Sequence, residues 1–437
     1  LEVIEGTAFA AESAHNSLAA ETLFASRGVI EDRNGTVLAE NIARTDGSVE
    51  RTYAIPSMGP IIGYVSEPKK DASGRYYDTA ETGLAGIERE FDSSLAGVNG
   101  TVLVERDALG NVRSQGAVEP AADGSTIKLS LDAGLEQDFS RALSDVARSE
   151  GFLAGAGVIM DVHTGEVLGI VSYPSYDPNV MSSGAPGNVI AGYNQNAGHP
   201  FLDHAVQGVY APGSIVKPLI SVGALTDGVI TPSTIINDPG YLSLPDPYHP
   251  SKQFIYKGWK ALGPVDVRTA IAWSSDVFFY TVGGGFGSQK GLGIDRLDYW
   301  YREFGLGTTT EIDLPGEASG LVPTPAWKQA TFSEPWYTGD TYFTAIGQYA
   351  MQVTPVQMAR ATGAIASGGS LCTPTLTLDS APSCTQVPGT ASSFQVVREG
   401  MRQGVTSALA SAINLPYVAV AANTGTAQVG VNNQFDN

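Results

Sequence analysis

The sequence predicts a multi-domain chain in which a β-rich N-terminal domain precedes an α/β domain, and three observations carry that prediction. The chain has 437 residues, and at roughly 100–200 residues per domain that length calls for two to four domains. Its first third alternates strand-like runs with turns, until the apolar spacing changes to a helical period from Asp132. From Gly155 two apolar runs around a turn precede several helical segments and a last apolar run, an order that suits a sheet enclosing helices.

Composition narrows the function classes. With 25 basic and 45 acidic residues the net charge is −20, which excludes nucleic acid and anionic lipid as main partners because a phosphate backbone needs a basic footprint. A hydrophobic fraction of 43% against 16% charged marks a globular chain. The 51 Gly and 25 Pro imply many turns but follow no Gly-X-Y period. No run of 18 apolar residues is long enough to span a bilayer. The chain starts at Leu1 and Leu1–Gly6 already reads as strand, so we expect a targeting or anchoring segment upstream. Cys372 and Cys384 flank a Pro/Ser/Thr-rich stretch. Either they close one loop, worth about 3 kcal/mol in the chain-entropy account, or they are unrelated thiols.

The elements follow in order. Arg27–Leu38 reads as two strands joined at Asn34-Gly35, with further strands at Thr101–Asp107 and Ser125–Leu131. Leu135, Phe139, Leu143 and Val146 define a helix that Asp132 caps and that bridges two domains. Gly155–Asp161 and Glu166–Ser172 form a buried hairpin about His163-Thr164-Gly165. Helices are expected over Ser214–Leu225, Val267–Val282, Ile294–Phe304 and Pro355–Ala366, and a strand over Tyr417–Ala421 that pairs with the hairpin. That strand leaves an edge that would want a further strand to cover it.

Three polar clusters carry candidate chemistry. Ser214 follows a Pro-Gly turn at a helix start, and Lys217 sits three residues on, on the same face. A buried, neutral lysine beside a serine hydroxyl is a competent general base, and a helix N-terminus offers N–H groups to an oxyanion. The spacing alone is weak, since Ser66-x-x-Lys69 repeats it in a proline-broken loop. Ser274 and Asp276 place a hydroxyl and a carboxylate in the apolar run Ala272–Tyr280, where they either face something polar or cap a helix. Asn423, Thr424, Gly425 and Thr426 follow the last apolar run, where a glycine admits close backbone approach and the hydroxyls can bind an anion.

Taken together, Ser-x-x-Lys, Ser-x-Asp and x-Thr-Gly in that order resemble the motif set of penicillin-binding proteins. The sequence is similar to the class B transpeptidases of the penicillin-binding protein 2 type used in cell elongation. Arg27–Gly35 resembles that family's RGxIxDRNG box, Gly83–Glu88 its GxxGIE segment and Pro174–Asn179 its PSxDPN loop. Gly339–Thr341, Ile346–Gln348 and Thr354–Met358 resemble its GDT, IGQG and TPLQM run. Asp276, where many relatives carry Asn, is typical of the elongation type.

The resemblance implies an N-terminal pedestal or dimerisation-type domain over 1–148. It implies a transpeptidase domain over 149–437, with an antiparallel sheet flanked by helices and an all-helical part. It implies that Ser214 attacks a D-Ala–D-Ala stem peptide, that Lys217 takes the proton and that Ser274 relays a proton to the leaving D-Ala. Asp276 would orient Lys217 or the substrate, and the N–H groups of Ser214 and Thr426 would form the oxyanion hole. β-Lactams would acylate Ser214. The implied partners are peptidoglycan stem peptides on a lipid-linked precursor, a membrane glycosyltransferase and elongation-complex proteins. The implied place is the outer face of the bacterial cytoplasmic membrane, and no cofactor is implied.

Two departures weigh on this. Asn423 stands where the family has Lys, a loss of about 1–2 kcal/mol or roughly ten- to thirtyfold. The family's last two strands and closing helix do not fit in Val429–Asn437, which points to a fragment. Asp276 is also expected to favour the charged form of Lys217, the wrong form for a base. Asp238, Asp246 and His249 fall where some relatives bind zinc, but with no Cys partner they read as a solvated loop, and no metal is expected. The leading reading is thus a D,D-transpeptidase. The alternatives are a catalytically weakened scaffold and a related carboxypeptidase or β-lactamase.

Overall fold

The computed structural model describes residues 17–43, 49–72, 75–106, 112–246, 249, 251–429 and 434–436. The strand expected at Leu1–Gly6 lies outside them. In the N-terminal domain β1 (Ser17–Leu23), β5 (Gly100–Arg106) and β6 (Val112–Glu119) form one antiparallel sheet in the order β1-β5-β6. A second sheet runs β7-β2-β3-β4, from β2 (Ile30–Glu31), β3 (Val37–Ala43), β4 (Val49–Tyr53) and β7 (Ile127–Lys128). The Asn34-Gly35 turn joins β2 to β3 as expected, with Gly35 at φ +83. The expected Ser125–Leu131 strand shortens to β7, which pairs in parallel with β2.

The box residues meet in this domain's interior. Glu88 accepts from Arg27 Nε at 2.6 Å and from Arg51 Nε at 2.7 Å, with all three side chains fully buried. Arg27 also donates to the Glu88 carbonyl at 2.8 Å and reaches Asp92 at 2.8 Å.

Helix α1 (Ala133–Glu150) links the domains, capped by Asp132, whose side chain accepts from Leu135 N. Phe139 and Leu143 pack over Gly157 and Gly155, but Val146 is 53% exposed and belongs to the outer face. Strands β8 (Gly155–Met160) and β9 (Val167–Tyr173) form the expected hairpin; β9 is mostly buried, whereas β8 is half-buried along its whole length. Residues 375–377 stitch the two domains together. Ser130 N donates to Leu376 O and Val167 N to Thr375 O, while Asp313 accepts from the Leu376 and Thr377 amides. One apolar core therefore runs from Ile30 and Leu38 through Ile170 to Val356 and Leu376.

The second core is helical. It packs α2 (Lys217–Thr226), α3 (Val267–Ala272), α4 (Asp276–Gly284), α5 (Gly293–Glu303), α6 (Thr338–Thr344), α7 (Pro355–Ser367) and α8 (Ala391–Ser407) around Phe278, Phe279, Trp300 and Phe394. Between α2 and α3 lie β10 (Ile236–Asp238), paired with β13 (Gly263–Val265), and the hairpin β11 (Tyr241–Pro245) with β12 (Gln253–Lys257).

Three expectations are corrected. The single helix over Val267–Val282 is broken at Trp273–Ser275, because Ser274 takes φ +53 and Ser275 caps a new helix by accepting from Phe278 N. Tyr417–Ala421 is not a strand: Tyr417 is 81% exposed, and without a burying face an apolar run has no reason to extend into a ladder. The strand falls later, as β14 (Ala427–Val429) paired with β15 (Gln434–Asp436), so Val429–Asn437 does hold a strand. Among the described residues the β8–β9 hairpin gains no C-terminal partner strand. The open question of the cysteines closes on a Cys372–Cys384 disulfide.

Candidate active site

Ser214 lies in a 3-10 turn over Gly213–Val216, and Lys217 opens α2 directly after it. Two glycines explain why this turn meets the x-Thr-Gly segment. Gly213 has φ +56, and a Cβ there would lie 2.7 Å from Thr426 O; a Cβ on Gly425 would lie 2.7 Å from Pro212 O. The segments touch backbone to backbone, an approach that only glycine permits. Thr424 and Thr426 are thereby carried to the mouth of the Ser214 turn.

Lys217 is fully buried and its ammonium is fully engaged. Nζ donates to Ser274 O at 2.9 Å, to Ser274 Oγ at 3.0 Å and to Asp276 Oδ1 at 2.6 Å. The helix break described above makes this possible. With Ser274 in the left-handed region, its carbonyl and hydroxyl both face Lys217, and Asp276 follows at the first position of α4. A non-glycine residue held at positive φ is a strained arrangement of the kind found at functional sites. The Ser214 hydroxyl has no hydrogen-bond partner among the described residues.

Burial dominates the electrostatics. Removal from water pushes the Lys217 amine below its ordinary value, and the charges of Asp276 and Asp238 oppose this without reversing it. The expectation that Asp276 would hold Lys217 charged is therefore half met: the carboxylate pairs with the lysine, but desolvation outweighs it. A lysine moved in this direction is suited to accept a proton.

Ser214, Ser274, Asp276, Thr424 and Thr426 line one cavity of 880 Å³. Asn423 and Gly425 do not line it. Asn423 Nδ2 donates to Ile271 O at 3.1 Å, and its Oδ1 is buried without a partner among the described residues. Both residues face a second, more apolar groove of 720 Å³ beside Gly157 and Met160 of β8. Two lining residues escaped assignment from sequence. Gln348 donates to Thr426 O at 3.4 Å and accepts from Gln428 N at 3.4 Å. Tyr349 stands at φ +68 beside Trp336 and Trp327. Their only signal was the Ile346–Gln348 stretch.

Asp238, Asp246 and His249 do not converge. Asp238 is buried against Ser275, while Asp246 pairs with His249 at 3.3 Å on an exposed loop. No group of three or more His, Cys, Asp or Glu among the described residues is placed to hold a metal. No helix among them is long and apolar enough to cross a membrane.

Comparison with known proteins bears on the whole arrangement. Residues 155–436 match the penicillin binding protein transpeptidase domain, and residues 43–129 match the penicillin-binding protein dimerisation domain. The chain is 35% identical over 388 residues to the peptidoglycan D,D-transpeptidase MrdA of Acinetobacter baumannii, covering 84% of this chain and 55% of that protein. It is 37% identical over 342 residues to MrdA of Escherichia coli K12, covering 75% of this chain and 51% of that one. The chain thus spans about half the length of the curated relatives it matches. Among solved structures, Pseudomonas aeruginosa PBP2 in complex with WCK 5153 superposes with a TM-score of 0.74 at 31% identity, over 93% of this chain and 86% of that one. A chain from a peptidoglycan synthase complex gives a TM-score of 0.81 at 28% identity, over 99% and 86%.

Proposed function

We propose that this chain, which belongs to the penicillin-binding protein transpeptidase family and resembles its penicillin-binding protein 2 members, is a peptidoglycan D,D-transpeptidase with Ser214 as its nucleophile. The Ser214 oxygen attacks the carbonyl carbon of the penultimate D-Ala, and the amine of Lys217 takes the hydroxyl proton. The tetrahedral oxyanion is received by the N–H groups of Ser214 and Thr426. Ser274 passes its proton to the departing D-Ala amine as the C–N bond breaks and regains one from Lys217, to which it is hydrogen-bonded, leaving an ester on Ser214. An amine of a second stem peptide then attacks that ester and forms the cross-link. Asp276 orients Lys217 throughout, and a β-lactam enters the same first step.

The observation that carries this reading is the fully buried Lys217, three residues from Ser214 and hydrogen-bonded to Ser274 and Asp276, both of which line one cavity with Ser214. One observation favours the weakened-site alternative: all three ammonium donors are spent on Ser274 and Asp276, so Lys217 must lose a proton before it can serve Ser214.

Residues 1–148 would be the non-catalytic domain and 149–437 the transpeptidase domain. The solved synthase complex concerns coordinated polymerization and crosslinking, which supports a glycan-polymerising glycosyltransferase as partner; elongation-complex proteins as further partners rest on the likeness to penicillin-binding protein 2. The Cys372–Cys384 bond suits an oxidising compartment outside the cytoplasmic membrane. The test is intact-protein mass after incubation with a penicillin, with Ser214→Ala as control. One adduct on Ser214 that the alanine variant lacks supports the enzyme. A folded chain that gains no mass at high penicillin sinks it in favour of the scaffold.

A further inference from the structure

We propose that Asp238 is a positioning residue for Ser214 acylation, holding Ser275 and through it the Ser274–Asp276 segment against Lys217. The inference rests on the transpeptidase reading above. Asp238 ends β10 and is 1% exposed. Its Oδ1 accepts from Gly240 N at 2.8 Å and its Oδ2 from Ser275 Oγ at 2.5 Å. No cation among the described residues lies within ion-pair distance of it. A buried carboxylate without a counter-ion is costly to keep, and the one side chain it holds is Ser275.

Ser275 is itself fully buried and has a single hydroxyl proton. With that proton on Asp238, its oxygen is left to accept from Phe278 N at 3.1 Å, the bond that starts α4. Three consecutive residues are thus pulled to opposite sides. Ser274 and Asp276 face Lys217 Nζ, and Ser275 between them is tied back to Asp238. This tie opposes the strain of Ser274 at φ +53 and keeps two of Lys217's partners in place.

Asp238 acts on Lys217 in a second way, through its charge. Asp276 and the Phe279 ring face Lys217, Tyr280 lies next to Asp276, and Asp238 acts on Lys217 at longer range, through its charge from behind Ser275. Both carboxylates favour the ammonium. Neutralising Asp238 therefore lets Lys217 lose its proton at lower pH, while a purely structural loss leaves the titration where it is.

The experiment measures the second-order rate of Ser214 acylation by a fluorescent penicillin from pH 5 to 9, on the full chain and on Asp238→Asn, Ser275→Ala and the double variant. Unfolding curves confirm that each variant is folded. Asp238→Asn is expected to slow the plateau about tenfold or more and to move the acid limb down by about half a pH unit. Ser275→Ala is expected to slow the plateau similarly without moving the limb down, and the double variant to be no slower than the slower single one. A plateau for Asp238→Asn within about twofold of wild type, an unmoved limb, or multiplying effects in the double variant would each overturn the proposal. If Asp238→Asn does not fold, Ser275→Thr decides: recovery to within about threefold of wild type supports the tie, and a rate as low as that of Ser275→Ala overturns it. A wild-type chain that takes up no penicillin fails at an earlier step and overturns the transpeptidase reading along with this one.

Discussion

In the N-terminal domain Glu88 lies between Arg27 and Arg51, and in the α/β domain Lys217 lies between Ser274 and Asp276. Arg27, Arg51, Glu88 and Lys217 all have side chains fully removed from solvent. The difference lies in what each cation can do. Guanidinium groups stay charged, fork rigidly and here bind one carboxylate from both sides, so the first cluster can only hold its shape. An ammonium buried beside a single carboxylate, itself 16% exposed on a cavity, can give up its proton. The first cluster fixes the domain, and the second is poised to change charge state.

Exchanging the two cations tests that comparison most directly. Lys217→Arg keeps a positive charge against Asp276 but removes the proton acceptor. Acylation of Ser214 by a penicillin should fall by about 10²–10⁴, measured as the second-order rate on a protein whose unfolding transition is retained. A rate near wild type would show that Lys217 is not the base. The reciprocal swap, Arg27→Lys, leaves one point charge to replace contacts to Glu88, Asp92 and two backbone carbonyls. It should cost about 3 kcal/mol in denaturant unfolding and leave the acylation rate of the folded fraction unchanged.

A third buried acid sharpens the comparison because no cation among the described residues pairs with it. Glu136 of α1 accepts from Ile170 N at 2.8 Å, and burial pushes its carboxyl up to about 8; Asp203 nearby is pushed up to about 7. A carboxyl raised on folding contributes stability that is complete below its ordinary value and is lost as pH rises through the folded value. Stability should therefore decline between about pH 5 and 8, by on the order of 2 kcal/mol or more. Glu136→Gln should remove about half of that slope, leaving a comparable share from Asp203. Urea midpoints across this range check it, and an equal slope in both proteins would refute it.

The sequence was most legible where chemistry and backbone rules coincide. Asp132 capping α1, the Asn34-Gly35 turn and the Ser214–Lys217 spacing all follow from local preferences. The break between α3 and α4 was hidden because Val267–Val282 reads as one helix, while the bonds that accompany the break, from Ser274 and Asp276 to Lys217 and from Ser275 to Asp238, join residues far apart in sequence. Tyr417–Ala421 misled for the converse reason: strand-forming residues without a face to bury gave exposed loop. Gln348 carries no titratable or nucleophilic group and so gave no chemical signal; its place depends on the Thr426 backbone 78 residues away.

Asn423 yields the smallest expected effect and the finest test. By chemistry alone, restoring the family's lysine should help roughly ten- to thirtyfold, because a charged donor binds an anion more strongly than a neutral one. That estimate holds only for a side chain that reaches the substrate. Asn423 instead donates to Ile271 O and lines the groove beside β8, while Thr424 and Thr426 line the Ser214 cavity. Asn423→Lys should therefore change the penicillin acylation rate by less than about threefold, under 1 kcal/mol. A gain of tenfold would mean that this side chain turns into the cavity when an anionic ligand is bound, and that the site recruits charge on demand where Lys217 already holds it in place.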